Sequence, residues 1–255
     1  MNSQINFNFI LKFCAVAIPV LVLSSFIKKD TPENSKTILV IPYQPQMHLS
    51  DADAEFADYA KIGVKQVRQM MRNSLNERIC FAIRDRFNVR LLTDFGTKQE
   101  KNDLEDFYDA EIFSLSQNES TNSVATADTS KSNPYFGIFS DQKKPDYNSS
   151  YMNVSLSKPV LFQKTANDYD ADYFLILTQL EIKTHYGECV DIANRIFVRE
   201  FRLHYAVFDA GGNQSTGGYV SANVGSGVKN LNQVSESAFA DLVRKLSEKV
   251  NGAIH

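Results

Sequence analysis

Tyr173-Phe174-Leu175-Ile176-Leu177-Thr178-Gln179-Leu180-Glu181-Ile182-Lys183 is the stretch that decides the fold. Phe174, Ile176, Leu180 and Ile182 alternate with Leu175, Leu177, Gln179, Glu181 and Lys183, the two-residue period of a half-buried β-strand. A second alternation follows, with Phe197, Phe201, Leu203, Tyr205 and Val207 set against Val198, Glu200, Arg202 and His204. Asp209-Ala210-Gly211-Gly212-Asn213 supplies turn residues that tolerate positive φ, so the chain is expected to reverse there. A third strand is expected over 218–223, and Gly225-Ser226-Gly227 ends it. Over 234–250, Ala238, Phe239, Leu242, Val243, Leu246 and Val250 recur at helical spacing. The last third therefore reads as an antiparallel meander closed by an amphipathic helix.

Working outward, Thr37-Ile38-Leu39-Val40-Ile41-Pro42-Tyr43 is a β-branched run stopped by proline, the pattern of a short buried strand. Ser50 and Asp51 offer an N-cap for a long helix. Its apolar positions are Phe56, Tyr59, Gly63, Val67, Met70, Leu75, Ile79 and Ile83, with a break expected near Gly63. The other face, Lys61, Lys65, Arg68, Arg72, Asn76 and Arg84, reads as a solvated basic stripe. A second strand is expected over 88–95 and a second helix over 99–113, with Leu104, Phe107, Tyr108 and Ile112 on its apolar side. The predicted class is α/β: a βαβα start, then a mainly antiparallel meander and a closing helix, forming a mixed sheet with helices packed on it.

Composition divides the chain further. Residues 37–114 form the βαβα half and 159–255 the meander half, expected to share one domain. Between them, 115–158 is rich in Ser, Thr, Asn, Asp and Lys, with an apolar island at Tyr135-Phe136-Gly137-Ile138-Phe139. It reads as a polar insertion or linker, expected to be the most mobile segment, unless the island pairs with Tyr151-Met152-Asn153-Val154-Ser155 in a small hairpin. The amino terminus carries an apolar run over 13–27 that follows Lys12. It is shorter than the roughly 20 residues a helix needs to cross a bilayer, and suits the apolar region of a signal peptide. Residues 1–24 are thus a signal peptide or, since Lys28 and Lys29 follow the run, an uncleaved anchor, with 25–36 as linker. Cys14 lies in the run without the small-residue context of a lipid-modified cysteine. Cys80 and Cys189 remain, either as a bridge or as two separate thiols.

The order of these elements resembles a recurring envelope module. The Thr37–Tyr43 strand leading to a long helix, the Asp170-Ala171-Asp172-Tyr173-Phe174-Leu175-Ile176 strand, the Val207-Phe208-Asp209-Ala210-Gly211-Gly212 turn and the final helix are the features that carry the likeness. The pattern is similar to the periplasmic domain of the curli secretion channel, the lipoprotein activators of peptidoglycan synthases and the amino-terminal domain of the Tol propeller protein. The resemblance covers roughly half the chain and implies a non-enzymatic module that docks to envelope partners or to copies of itself. The chain departs from these families in lacking a lipidation cysteine and long amphipathic hairpins.

The formal net charge of -3 leaves no basic footprint for nucleic acid. His48, Asp51 and Asp53 have the residue types of a metal site but read as a polar loop capping the long helix. Asp168, Asp170 and Asp172 alternate like a calcium loop yet lack its glycine and its final glutamate. Gly211-Gly212 and Gly217-Gly218 flank a strand turn with no helix terminus to hold phosphate. Ser226 lacks the nucleophile-elbow spacing. No catalytic residue, metal or cofactor is expected. What remains is the polar face of the meander: Glu181, Lys183 and His185 on one strand beside Glu200, Arg202 and His204 on the next, expected to project away from the core and to pair charges across the strands. This face is the candidate binding site for an envelope protein or a second copy of the chain, in an exported, non-catalytic accessory or scaffold. Membrane contact is expected only through residues 1–29, if these are uncleaved. The alternative is an envelope hydrolase whose site is assembled from distant residues.

The terminal apolar run predicts a mature protein that begins near Ser25 and is recovered from a periplasmic or envelope fraction. Amino-terminal sequencing of fractionated cells checks this, and full-length protein in the cytosol would overturn it.

Overall fold

Side-chain parity along β6 (Tyr173–Asp191) changes at Thr178. Leu177 lies opposite Tyr205 and Gln179 opposite His204 on β7 (Ile196–Asp209), so Thr178 is the extra residue of a bulge. Before the bulge, Leu175 and Leu177 face one core and Phe174 and Ile176 the other. After it, Leu180 and Ile182 join Leu175 and Leu177. The expected grouping of Phe174 and Ile176 with Leu180 and Ile182 is thereby corrected, because one inserted residue moves every later side chain to the opposite face.

This computed structural model describes residues 35–117 and 150–254. Around β6 the strands β1 (Thr37–Ile41), β3 (Asn88–Leu91), β7 and β8 (Gln214–Gly225) form a mixed sheet in the order β3-β1-β6-β7-β8, and β2 (His48–Ser50) pairs with β6 farther along. The β1–β3, β1–β6 and β2–β6 pairings are parallel. The β6–β7–β8 meander is antiparallel, as the alternation requires. Strands from before and after the polar stretch thus lie in one sheet.

Helices cover both faces. On one, α1 (Asp53–Ala60), α2 (Val64–Ile83) and α6 (Ala240–Ala253) bury Phe56, Leu75, Ile79, Leu242 and Leu246 against Leu175, Leu203 and Tyr205. On the other, α3 (Lys98–Ala110), α4 (Val160–Tyr169) and the two-stranded ribbon β4 (Glu111–Gln117) with β5 (Ser150–Leu156) cover Leu39, Ile41, Phe174 and Phe208. Phe162 sits at the centre of this second core, edge-on to Phe174 at 5.1 Å and tilted against Phe208 at 4.9 Å. Aromatic pairs of this kind add about 0.5–1.5 kcal/mol each beyond their burial.

Several expectations change in detail. The long helix does break before Gly63: Lys61 adopts φ 56°, and the Gln66 side chain caps the Gly63 N–H at 3.0 Å. The break rephases the helix, so Met71 is buried while Met70 and Tyr59 are exposed. The basic stripe is not all solvated, because Arg72 and Asn76 are buried. Arg72 donates to the Tyr43 carbonyl at 3.0 Å, to Asp94 at 2.6 Å and to the Tyr108 hydroxyl at 2.5 Å, which lets a guanidinium survive in the interior. Helix α3 starts at a reciprocal Thr97–Glu100 capping box and stops at Ala110, so Ile112 belongs to β4. The Tyr151–Ser155 stretch pairs with β4; the apolar island lies outside the described residues, within 118–149, as do residues 1–34. Within the expected insertion, 115–117 and 150–156 are therefore strand. Helix α4 has no counterpart in the sequence reading. The closing helix runs through α5 (Leu231–Val234), a π turn (Ser235–Phe239) and α6. Cys80 and Cys189 are both free, and burial pushes the Cys80 thiol up to about 11.

Gly212 turns β7 into β8 with φ 82°, and a Cβ there would lie 2.7 Å from Phe162 Cδ2. Gly212→Ala is expected to cost roughly 2 kcal/mol or more, combining the left-handed backbone with overpacking against the second core. Urea denaturation of the two proteins measures it, and an unchanged midpoint would refute this account of the turn.

Candidate functional site

The bulge that exchanges the faces of β6 also sends Gln179, Glu181, Lys183 and His185 to the side of the second core. Among the described residues that core's cover ends at β5. In register, Glu181 lies opposite Arg202 and Lys183 opposite Glu200. The result is a recess of about 280 Å³ lined by all six candidate residues, Glu181, Lys183, His185, Glu200, Arg202 and His204, and walled by Leu115, Ser150 and Met152 of the ribbon. The structure brings the six together. The ribbon wall was missed because it falls in the polar stretch, where the alternation of Tyr151–Ser155 was the available signal.

The polar face does not simply project into solvent, as expected; it is half covered. His204 is only 3% exposed and Gln179 only 2%. The Met152 N–H donates to His204 Nδ1 at 2.9 Å, and the Thr178 hydroxyl donates to the Met152 carbonyl at 2.6 Å. An imidazole whose Nδ1 accepts an amide hydrogen carries its own proton on Nε2. That Nε2 faces Glu181 Oε1 at 3.5 Å. Glu181 is held below the ordinary carboxylate range by the facing His204 imidazole, with Arg202 and Lys183 adding to it. Gln179 Nε2 also donates to Glu181 Oε1. The ion pairs run along and diagonally across the strands: Arg202 holds Glu200 of its own strand at 3.0 Å, and His185 Nε2 lies 3.3 Å from Glu200 Oε2. The Arg202 guanidinium also stacks over the Tyr219 ring at 4.5 Å. Lys183 is exposed and forms no ion pair among the described residues.

The other polar groupings are structural. His48 is buried with both nitrogens engaged, Nδ1 3.3 Å from the Tyr43 hydroxyl and Nε2 3.1 Å from Asp53 Oδ1. Asp53 is held below its usual range, against the cost of its burial, by His48 and by Arg68, which donates at 2.6 Å. Asp51 receives the Thr184 N–H at 2.8 Å, tying the helix start to β6. Among the described residues no three His, Cys, Asp or Glu side chains are grouped to hold a metal ion. Asp170 ends α4 in the left-handed region, while Asp172 accepts the Thr37 N–H at 2.7 Å. Ser226 accepts the Phe197 N–H at 2.9 Å, joining β7 to the end of β8. No helix among the described residues is long and apolar enough to cross a membrane, and the terminal apolar run lies outside them.

No family model matches the chain, and no curated protein matches it. Among solved structures it is similar to the lipoprotein GNA1162 from Neisseria meningitidis, at 13% identity and a TM-score of 0.38, covering 85% of this chain and 99% of that one. It is also similar to the hypothetical protein CT253 from Chlamydia trachomatis, at 10% identity and a TM-score of 0.37, covering 86% and 94%. A PelC dodecamer from Paraburkholderia phytofirmans gives 9% identity and a TM-score of 0.30, covering 83% and 88%. TM-scores this low establish neither a shared fold nor a shared function. The likeness to the curli, synthase-activator and Tol modules rests on element order alone.

One further carboxyl is strongly perturbed. At the start of β4, burial raises Glu111 from 4.5 to about 8, partly offset by Gln44 Nε2, which donates to Oε2 at 2.6 Å. Its Oε1 is buried without a partner. Because the folded value lies above the unfolded one, the stability contributed by the neutral acid is complete below about 4.5 and is lost as pH rises through about 8. Glu111→Gln should remove that loss, so thermal melts across this window will diverge, the variant gaining on the parent towards alkaline pH. Parallel curves would show that Glu111 is not buried as described.

Proposed function

We propose that the chain is an exported, non-catalytic accessory protein of the cell envelope that works by docking a protein partner on the face formed by Glu181, Lys183, His185, Glu200, Arg202 and His204. The observation that carries this reading is that the six side chains converge in one recess, with His204 buried, instead of spreading over a flat solvated sheet. At about 280 Å³ the recess lies at the lower edge of the roughly 300–1,000 Å³ of sites that enclose a cofactor or drug-sized ligand, and it has room for a protruding side chain of a partner. Carboxylates, ammonium and guanidinium alternate in it, an arrangement that selects partners by charge more than it adds affinity.

The hydrolase alternative would need a serine activated by a histidine with a free lone pair. Ser150 and His204 do share the recess. The lone pair of His204 Nδ1 is occupied by the Met152 N–H, however, and the Ser150 hydroxyl accepts from Gln117 Nε2 at 3.1 Å. These contacts favour the docking reading. The export part of the proposal is supported by the terminal apolar run.

Lys183 gives the cleanest test. Reversing Glu200 and Arg202 would disturb a pair whose side chains are only 16% and 13% exposed, whereas Lys183 stands in solvent. Lys183→Glu is expected to shift stability by about 0.5 kcal/mol or less. It should also abolish, or weaken about tenfold, capture of the partner that the parent chain retains from envelope extract. A folded variant that keeps every partner would overturn docking at this face.

A further inference from the structure

A second recess, of about 170 Å³, opens where the parallel strands β1 and β3 end. From β1 the chain passes through β2 to α1 and α2 on one face of the sheet, and from β3 it leaves for α3 on the other. Neighbouring parallel strands whose exits diverge leave a crevice at their carboxyl ends, the place where open α/β sheets hold ligands. Pro42, directly after β1, and the residues from Leu91 to Phe95 form one side of it, and α2 forms the other. The turn after β3 is held by the Thr93 hydroxyl, which accepts the Phe95 N–H at 3.3 Å. Asn76 of α2 is only 5% exposed and lines the recess, and its Oδ1 is buried without a hydrogen-bond partner among the described residues. No residue of the docking face takes part.

Folded chains meet nearly all their buried carbonyl oxygens, so an unmet one at the wall of a recess points to a donor from outside. A single water takes up roughly 30 Å³, and the recess has room for a group of several heavy atoms. The charges say what that group carries. Arg72 engages all three of its nitrogens within the protein, on the Tyr43 carbonyl, Asp94 Oδ2 and the Tyr108 hydroxyl. Its charge is thereby matched by Asp94, while Glu77 forms no ion pair among the described residues, so the recess holds one negative charge in excess. An anion is repelled there, and a hydroxyl meets Asn76 but leaves the charge unbalanced. A quaternary ammonium has no N–H for Asn76. A guanidinium is a planar fork suited to acceptors that lie side by side. Asn76 and Glu77 are successive residues of α2, so their side chains leave the helix about 100° apart, and Asp94 joins them from the turn. Acceptors that arrive from three directions suit the three N–H groups of a primary ammonium.

We infer that the crevice between β1 and β3 binds a primary alkylammonium group, the head of a lysine side chain or of a free alkylamine. Asn76 Oδ1 accepts one N–H, the Asp94 carboxylate a second, and Glu77 supplies the balancing charge. The alkyl stem lies against Pro42, Leu91 and Phe95, the last with its side chain largely in solvent at 72% exposure. A phenyl ring so placed also offers its face to a cation. Because Glu77 is exposed and the Asp94 side chain is 40% exposed, the ammonium keeps part of its hydration and is not stranded in the interior.

Butylammonium chloride is the probe, with butanol, butyrate and tetramethylammonium as controls and acetyl-Gly-Lys-Gly-methylamide as the peptide form. Each is titrated into the full chain while NMR of nitrogen-labelled asparagine follows the Asn76 side-chain amide. Butylammonium is expected to shift that signal saturably with a Kd of about 1 mM, and to bind about tenfold more tightly than each control. Asn76→Leu should abolish binding and leave the chain no less stable in a thermal melt, because it removes an unmet carbonyl with little change of volume. Glu77→Gln, at an exposed position, should weaken binding about tenfold with the melt unchanged. A lysine peptide that binds as tightly as butylammonium upholds the inference with a protein as the source; butylammonium binding without the peptide upholds it with a free amine. Equal binding of butanol and butylammonium overturns it, as does the lack of a saturable Asn76 shift with either amine. An Asn76→Leu chain that melts lower, beside a Glu77→Gln chain that binds butylammonium as the parent does, would give Asn76 a purely structural role and overturn the inference as well.

Discussion

The bulge at Thr178 is the constraint on which the rest of the structure depends. A straight strand would keep one parity for its whole length, and β6 could then offer an apolar side chain to both layers only at its first residues. With one residue looped out, Phe174 and Ile176 serve the layer of α3 and α4, while Leu175, Leu177, Leu180 and Ile182 serve the layer of α1, α2 and α6. Beyond the bulge the second layer is given polar residues, and there its cover, among the described residues, stops. The same residue holds that cover in place, since the Thr178 hydroxyl bonds the Met152 carbonyl while His204, from the neighbouring strand, takes the Met152 N–H. Both backbone groups of one β5 residue are thus satisfied by side chains of the main sheet, which sets where the ribbon stops and where the recess begins.

Much of this was legible in the residues. Alternation in 197–207, the Asp209–Asn213 turn and the helical spacing of 234–250 led to the meander and its closing helix, because period and turn chemistry are local signals. The mixed sheet followed from the βαβα order. The parity slip was not legible. Leu175, Ile176 and Leu177 are all apolar, so the run is compatible with either face inward, and the bulge is decided by packing against β7 and β5. Helix α4 was hidden for a similar reason, its ten residues abutting a polar stretch and carrying their apolar side on Leu161, Phe162 and Ala166, with Tyr169 partly buried beside them. Arg72 and Asn76 read as surface because a basic residue on a helix usually is. The burial of Arg72 depends on Tyr43, Asp94 and Tyr108, partners brought from three separate parts of the chain.

For the candidate site, membership could be read from position on two strands, whereas its character could not. Opposite charges on neighbouring strands suggested cross-strand pairs over an open face. The third element, β5, changes that by closing one side, so that His204 passes from a solvated position to a buried one and its two nitrogens take different roles. The sequence carries no mark of this, since the Met152 amide that fixes the tautomer is a backbone group in a stretch read as insertion.

The two buried imidazoles make the point sharper. His48 and His204 are about equally enclosed, at 2% and 3% exposure, and each lies beside a carboxylate. His48 has a partner at each nitrogen, and its carboxylate is shared with Arg68; that network closes on itself and ties the start of α1 to α2. His204 has one nitrogen satisfied by the backbone and the other set 3.5 Å from Glu181 Oε1 at the wall of the recess. Glu181, a third exposed, both faces that nitrogen and accepts from Gln179, so the network of His204 opens onto the recess where that of His48 closes on itself.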